Sequence, residues 1–178
     1  MERRGIRAGK VAGSVGVLLA VGLLAAMRAG AADLEIGRRF QDWVGGCERD
    51  PERQVKGCFI FQKLFLPETG RQVATVAVGY TGASGPPMAV FKIPLGTLLP
   101  PGITVRIDAG EQRSFPLQFC DREGCRAHVP LEPDLLSAMK AGLVAELSFQ
   151  DLERKTITTA VSLRGFTRGL ASLKRGGR

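Results

Sequence analysis

The chain is short of the residues on which most chemistry depends. Among 178 residues there is one histidine, one tryptophan and one tyrosine. No G-x-S-x-G elbow occurs to hold a serine nucleophile, and the glycines fall at turn positions without a phosphate-loop pattern. No C-x-x-C pair occurs, which removes the usual dithiol redox motif and, with His128 as the sole imidazole, leaves a zinc site without companions. Internal repeats and low-complexity linkers are missing as well, so solenoid and multidomain readings have no support. No cysteine precedes Cys47, which excludes a lipid-bearing cysteine just behind the N-terminus.

The N-terminus is rich in what remains. Arg3, Arg4, Arg7 and Lys10 stand against Glu2, Val11 to Met27 carries no charge, and Ala29-Gly30-Ala31 supplies small residues. That order is an export signal over residues 1–31, with cleavage expected between Ala31 and Ala32. The apolar run of 17 residues lies at the lower limit for a spanning helix, so an uncleaved anchor is the alternative. Cleavage leaves no stable membrane span. With Arg28 counted, it also removes a surplus of four positive charges from the formal +8, and Lys174, Arg175 and Arg178 hold three more. A pI near 9.9 therefore misleads. The body is almost neutral, which argues against a nucleic-acid partner.

An even number of cysteines in an exported chain reads as disulfides. Cys47 and Cys58 are 11 residues apart, Cys120 and Cys125 five. Three connectivities are open. Local pairing is favoured because each pair flanks a turn-forming segment, and the pair Cys120 and Cys125 has the spacing of a hairpin with a four-residue loop. Each such bridge contributes roughly 2–3 kcal/mol in chain-entropy terms.

The hydrophobic periodicity is mostly two. Val76, Val78 and Tyr80 alternate, as do Ile103, Val105 and Ile107, then Leu147 and Phe149, then Ile157, Thr159, Val161 and Leu163. Gly57–Leu66 is apolar on both faces, as a central sandwich strand would be, and Met88–Pro94 is a further strand. One segment reads as helix: Glu132-Pro133-Asp134 opens it, Leu135, Leu136 and Met139 form its stripe, and Gly142 closes it. About nine short strands with one short helix predict an all-β fold, an antiparallel β-sandwich of immunoglobulin-like or jelly-roll-like kind. A membrane barrel is the rival, but its strands of about ten residues are not matched. One domain spans 32–173, and 174–178 is a basic disordered tail.

Candidate sites are few. His128 would be a general base only if a nucleophile and a carboxylate converged on it; the plainer reading is an ordinary strand or turn residue. Trp43, just ahead of Cys47, is either core packing beside a disulfide or a surface anchor for a partner. Paired carboxylates for acid–base work cannot be picked out of the sequence. No catalytic, cofactor-binding or metal-ligating residue is assigned.

Several segments together resemble one family. Phe40-Gln41-Asp42-Trp43 followed by Cys47 and Cys58, then Pro94 to Ile103 running into Asp108-Ala109-Gly110, then Phe119-Cys120 with Gly124-Cys125, and finally Val161 to Phe166 are similar to the invasion-associated locus B family of bacterial exported proteins. The resemblance runs from about Phe40 to Leu173. It implies a periplasmic or surface β-sandwich with two disulfides in a Gram-negative, alphaproteobacterial envelope, and a role in host-cell invasion in some members. It brings no catalytic residues. The expected function is a non-enzymatic module that binds a protein or an envelope component through a face of the sandwich. An envelope hydrolase and a small-ligand carrier with a pocket between the sheets are the alternatives.

Overall fold

A computed structural model describes residues 36–49, 51–52, 55–82 and 85–173. The signal segment 1–31, its Ala31–Ala32 junction and the 174–178 tail lie outside the described residues. In chain order the strands are β1 (Arg39–Phe40), β2 (Trp43–Arg49), β3 (Val55–Phe65), β4 (Gln72–Gly79), β5 (Met88–Ile93), β6 (Ile103–Ile107), β7 (Gln112–Phe115), β8 (Phe119–Asp121), β9 (Gly124–Pro130), β10 (Val144–Gln150) and β11 (Thr156–Ser162). Helix α1 (Pro133–Ala141) lies between β9 and β10, and helix α2 (Phe166–Ala171) follows β11.

Two antiparallel sheets form from these strands. The larger has the order β1-β2-β3-β4-β5-β9-β8 and the smaller β11-β10-β6-β7. The period-two pattern explains their stacking: Ile60, Val76, Val78, Ala89, Phe91, Ala127 and Val129 point from the larger sheet into one core with Ile103, Val105, Ala145, Leu147 and Phe149 of the smaller. The fold is the all-β sandwich that the periodicity predicts.

The segment after β11 departs from the expected single helix. α2 opens at Gly165, whose φ of 85° suits glycine, and a side chain there would strike the Phe40 carbonyl. With a glycine at its start, another at position 169 and only six residues, α2 has little helical signal. Burial of Phe166 and Leu170 against the core holds it in place. The hairpin between β8 and β9 is also tighter than the expected four-residue loop. Asp121 pairs with Gly124, which continues the ladder and leaves Arg122 and Glu123 as the turn.

Trp43 is no surface anchor. It is fully buried, packs 5.4 Å from Phe166 between ring centroids, and donates from Nε1 to the Ser162 carbonyl at 2.9 Å. The unforeseen helix is the reason, because α2 supplies the aromatic partner that covers the indole. The same Ser162 closes the gap between the sheets. Gln62 donates from Nε2 to the Ser162 carbonyl at 2.7 Å, and the Ser162 N–H donates to Gln62 Oε1 at 3.1 Å. The buried amide thus imitates a strand residue and seals part of the β11 edge.

Candidate functional site: the outward face of the larger sheet

The structure joins Cys47 to Cys58 and Cys120 to Cys125. Each pair sits directly across a ladder, one between β2 and β3 and the other between β8 and β9. The bridges therefore clamp the larger sheet near both of its edges. Sequence left three connectivities open; strand register puts these cysteines opposite one another.

Register also lays out the outward face of that sheet in rows. One row runs Val44, Phe61, Ala77, Val90 and His128 across β2, β3, β4, β5 and β9. The next runs Gly46, Phe59, Gly79, Met88 and Pro130. On one side of these lies Lys63, Thr75, Lys92 and Arg126, continuing to Phe119; on the other, Glu48 pairs with Gly57. Two apolar rows are thus bounded by cations at one end of the strands and by a carboxylate at the other.

The middle of this face is hollow. β4 contributes only Ala77 and Gly79, while Phe59 and Phe61 rise on β3 and Met88 and Val90 on β5. The result is an open cleft of about 450 Å³ lined by Phe59, Ala77, Gly79, Met88 and Val90, with Glu48, Tyr80 and Thr81 toward one end. Glycines shape it. A Cβ at Gly79 would meet the Cys58 carbonyl at 2.9 Å, and one at Gly46 would meet the Phe59 ring at 2.9 Å. Phe59 and Phe61 stand at 59° to each other with centroids 6.1 Å apart. These side chains are half-buried by one another, and no layer of this domain's described residues stacks over them.

The β5–β9–β8 end of the face is polar. Arg126 pairs with Asp121 and Glu123, and Lys92 pairs with Glu123 at 3.2 Å. The Arg126 hydrogen bond, helped by the Glu123 N–H, holds the Asp121 carboxyl below the usual carboxylate range. Arg113, on β7 of the smaller sheet, does the same for Asp134 at 2.7 Å. Both acids are thereby kept charged, the reverse of what a general acid needs. His128 lies on this face with its ring edge-on to Phe119 at 5.7 Å. Gln118 accepts from its N–H at 2.7 Å and donates to its carbonyl at 3.3 Å. His128 lies in strand β9, and among the described residues no serine or carboxylate hydrogen-bonds its ring. No three His, Cys, Asp or Glu side chains among the described residues cluster as metal ligands.

The profile described as "Invasion associated locus B (IalB) protein" matches residues 43–174, most of the chain. The chain belongs to the IalB family. Invasion protein B homologs from two strains of Brucella abortus are each 25% identical to it over 143 residues, covering 80% of this chain and 80% of theirs. The crystal structure of invasion associated protein b from Bartonella henselae superposes with a TM-score of 0.63 at 18% identity. It covers 76% of this chain and 93% of that one, a likeness of fold. This IalB chain carries its cysteines in β2, β3, β8 and β9, all strands of the larger sheet.

The outward residues Phe59, Phe61, Val90 and Met88 are the part of the site that sequence reasoning missed. The signal was present: Gly57–Leu66 is apolar on both faces. Periodicity alone makes that a strand covered on both sides, but a two-layer sandwich covers only one face of each sheet.

Proposed function

We propose that this IalB-family protein is an exported, non-enzymatic binding module of the bacterial envelope, and that it engages its partner through the outward face of the larger sheet. One observation carries the reading: the half-buried apolar rows of Phe59, Phe61, Ala77, Val90 and Met88, of which all but Phe61 line an open cleft of about 450 Å³. A soluble sheet ordinarily alternates apolar inside and polar outside, so a second apolar face marks a place where something else packs. Two disulfides suit the oxidising space outside the cytoplasm. The small-ligand alternative finds its room on this outward face and not between the sheets, whose facing side chains pack as one core.

The test places a photocrosslinking side chain at Val90, in the cleft, or at Thr158, exposed on the smaller sheet. Expressed with its own N-terminus and irradiated in cells, the Val90 form should yield an envelope adduct that the Thr158 form does not. Equal adducts from both, or none from Val90, would sink the reading.

A further inference from the structure

The trough on the larger sheet is polar at its ends in a directional way, and this bears on ligand chemistry. Strand β4 forms its floor. Across β4, Lys63 and Lys92 stand on either side of Thr75 in a single row, roughly 10 Å apart at two strand spacings. Beyond that row, which lies just outside the cleft's lining, the sheet face runs through Ala77 and Gly79, flanked by Phe61 and Phe59 on β3 and by Val90 and Met88 on β5; of these, all but Phe61 line the cleft. The opposite end closes at Glu48 and Thr81. Lys92 already shares Glu123, but Lys63 is exposed and makes no ion pair among the described residues. Glu48 makes none among them either.

Resting on the binding role proposed above, we propose that the trough takes a single-chain amphiphile with an anionic head, of the fatty-acid kind. Its head would sit at Thr75 between Lys63 and Lys92, and its alkyl tail would lie over Ala77 and Gly79 between the Phe61–Phe59 and Val90–Met88 walls. Charge sets this direction. A carboxylate placed at the other end would meet Glu48, whereas at Thr75 it meets a hydroxyl, the Lys63 ammonium, and Lys92, whose charge it shares with Glu123. Size agrees too. From Thr75 to Gly79 β4 covers about 13 Å at roughly 3.3 Å per residue, and the cleft's lining runs on to Tyr80 and Thr81, enough for an alkyl chain of about a dozen carbons. The cleft volume of about 450 Å³ lies within the range of small-molecule sites. Small residues along β4 are what keep the tail's path open: a flat apolar sheet face would offer area without a groove.

The experiment is a calorimetric titration of the disulfide-intact protein with dodecanoate below its micellar concentration, beside dodecyltrimethylammonium and dodecanol. Dodecanoate should bind one to one, and the ammonium at least about tenfold more weakly. Lys63→Glu should weaken dodecanoate about tenfold and narrow its advantage over the ammonium. Ala77→Leu, which fills the floor, should abolish binding of all three. Should Ala77→Leu fail to fold, Lys63→Glu at an exposed site and the order of the three head groups still decide. Dodecanoate binding no tighter than the ammonium, or unaffected by either substitution, would overturn the proposal. If dodecanoate fails to bind while the Val90 crosslink persists, the ligand class falls and the binding face stands. If both fail, both fall.

Discussion

The two sheets of this sandwich turn very different faces outward. On the smaller sheet the outward positions are Thr104, Arg106, Glu146, Ser148 and Thr158, with Arg106 and Glu146 paired at 3.0 Å and Ser148 and Thr158 hydrogen-bonded at 3.0 Å. That is how a solvated antiparallel sheet is built. On the larger sheet the middle of the equivalent face carries Val44, Phe59, Phe61, Ala77, Met88 and Val90, with the charged rows of Lys63, Lys92 and Arg126 and of Glu48 at its ends. Both faces belong to one domain with one core, so fold requirements alone do not account for the difference. Stability asks for one apolar face per sheet. The second, with its cleft over β4, is the face that the proposed binding role assigns to a partner.

Substitutions can break that contrast or sharpen it. The largest effect is expected inside. Trp43→Ala removes the fully buried indole that holds α2 to the core and should cost about 3–5 kcal/mol by chemical denaturation. Loss of the Val90 crosslink at unchanged stability would instead return Trp43 to the binding surface and undo the assignment of faces. Next comes Gln62→Ala, expected to cost about 1–3 kcal/mol because it unpairs the Ser162 N–H within the seam between the sheets. A cost near zero would mean that β11 needs no such seal.

A matched pair tests the outward faces directly. Phe61→Asp should lower the yield of the Val90 adduct at least about tenfold, while Thr158→Asp on the smaller sheet should leave the adduct unchanged and stability within about 0.5 kcal/mol of the parent. Equal effects of the two would erase the comparison. The smallest effect concerns acid. Asp121 and Asp134 have folded values below their unfolded ones, so their ion pairs stabilise above the ordinary carboxylate range, and that contribution is lost as pH falls through the depressed values. Both carboxyls are solvent-exposed, and screening keeps the effect slight. Arg126→Gln should flatten the acid limb of a melting-temperature profile a little; a steeper limb would contradict the pairing.

Much of this was legible beforehand because strand alternation is a local property. Val76 and Val78, or Ile103, Val105 and Ile107, announce their sheet by period alone, and the α1 stripe of Leu135 and Met139 sits between clear boundary residues. α2 was not legible. Its six residues carry weak helical preference, and they are helical because Phe166 and Leu170 find a core to enter. Trp43 was open for the same reason: whether an indole is anchor or core depends on a partner 123 positions along the chain. The site lay half in view. Phe59 and Phe61 stood out as extra apolar positions in β3, but their meaning depends on which sheet face is covered.

The amino-acid sequence by itself determined the strand-rich class, the even set of cysteines and the near-neutral body, since composition and alternation act over a few residues at a time. Only the tertiary structure decided which of two apolar faces of β3 the second sheet covers. It also brought Lys63 and Lys92 to either side of Thr75. Those outcomes follow from register between strands far apart in the chain, which no local pattern encodes.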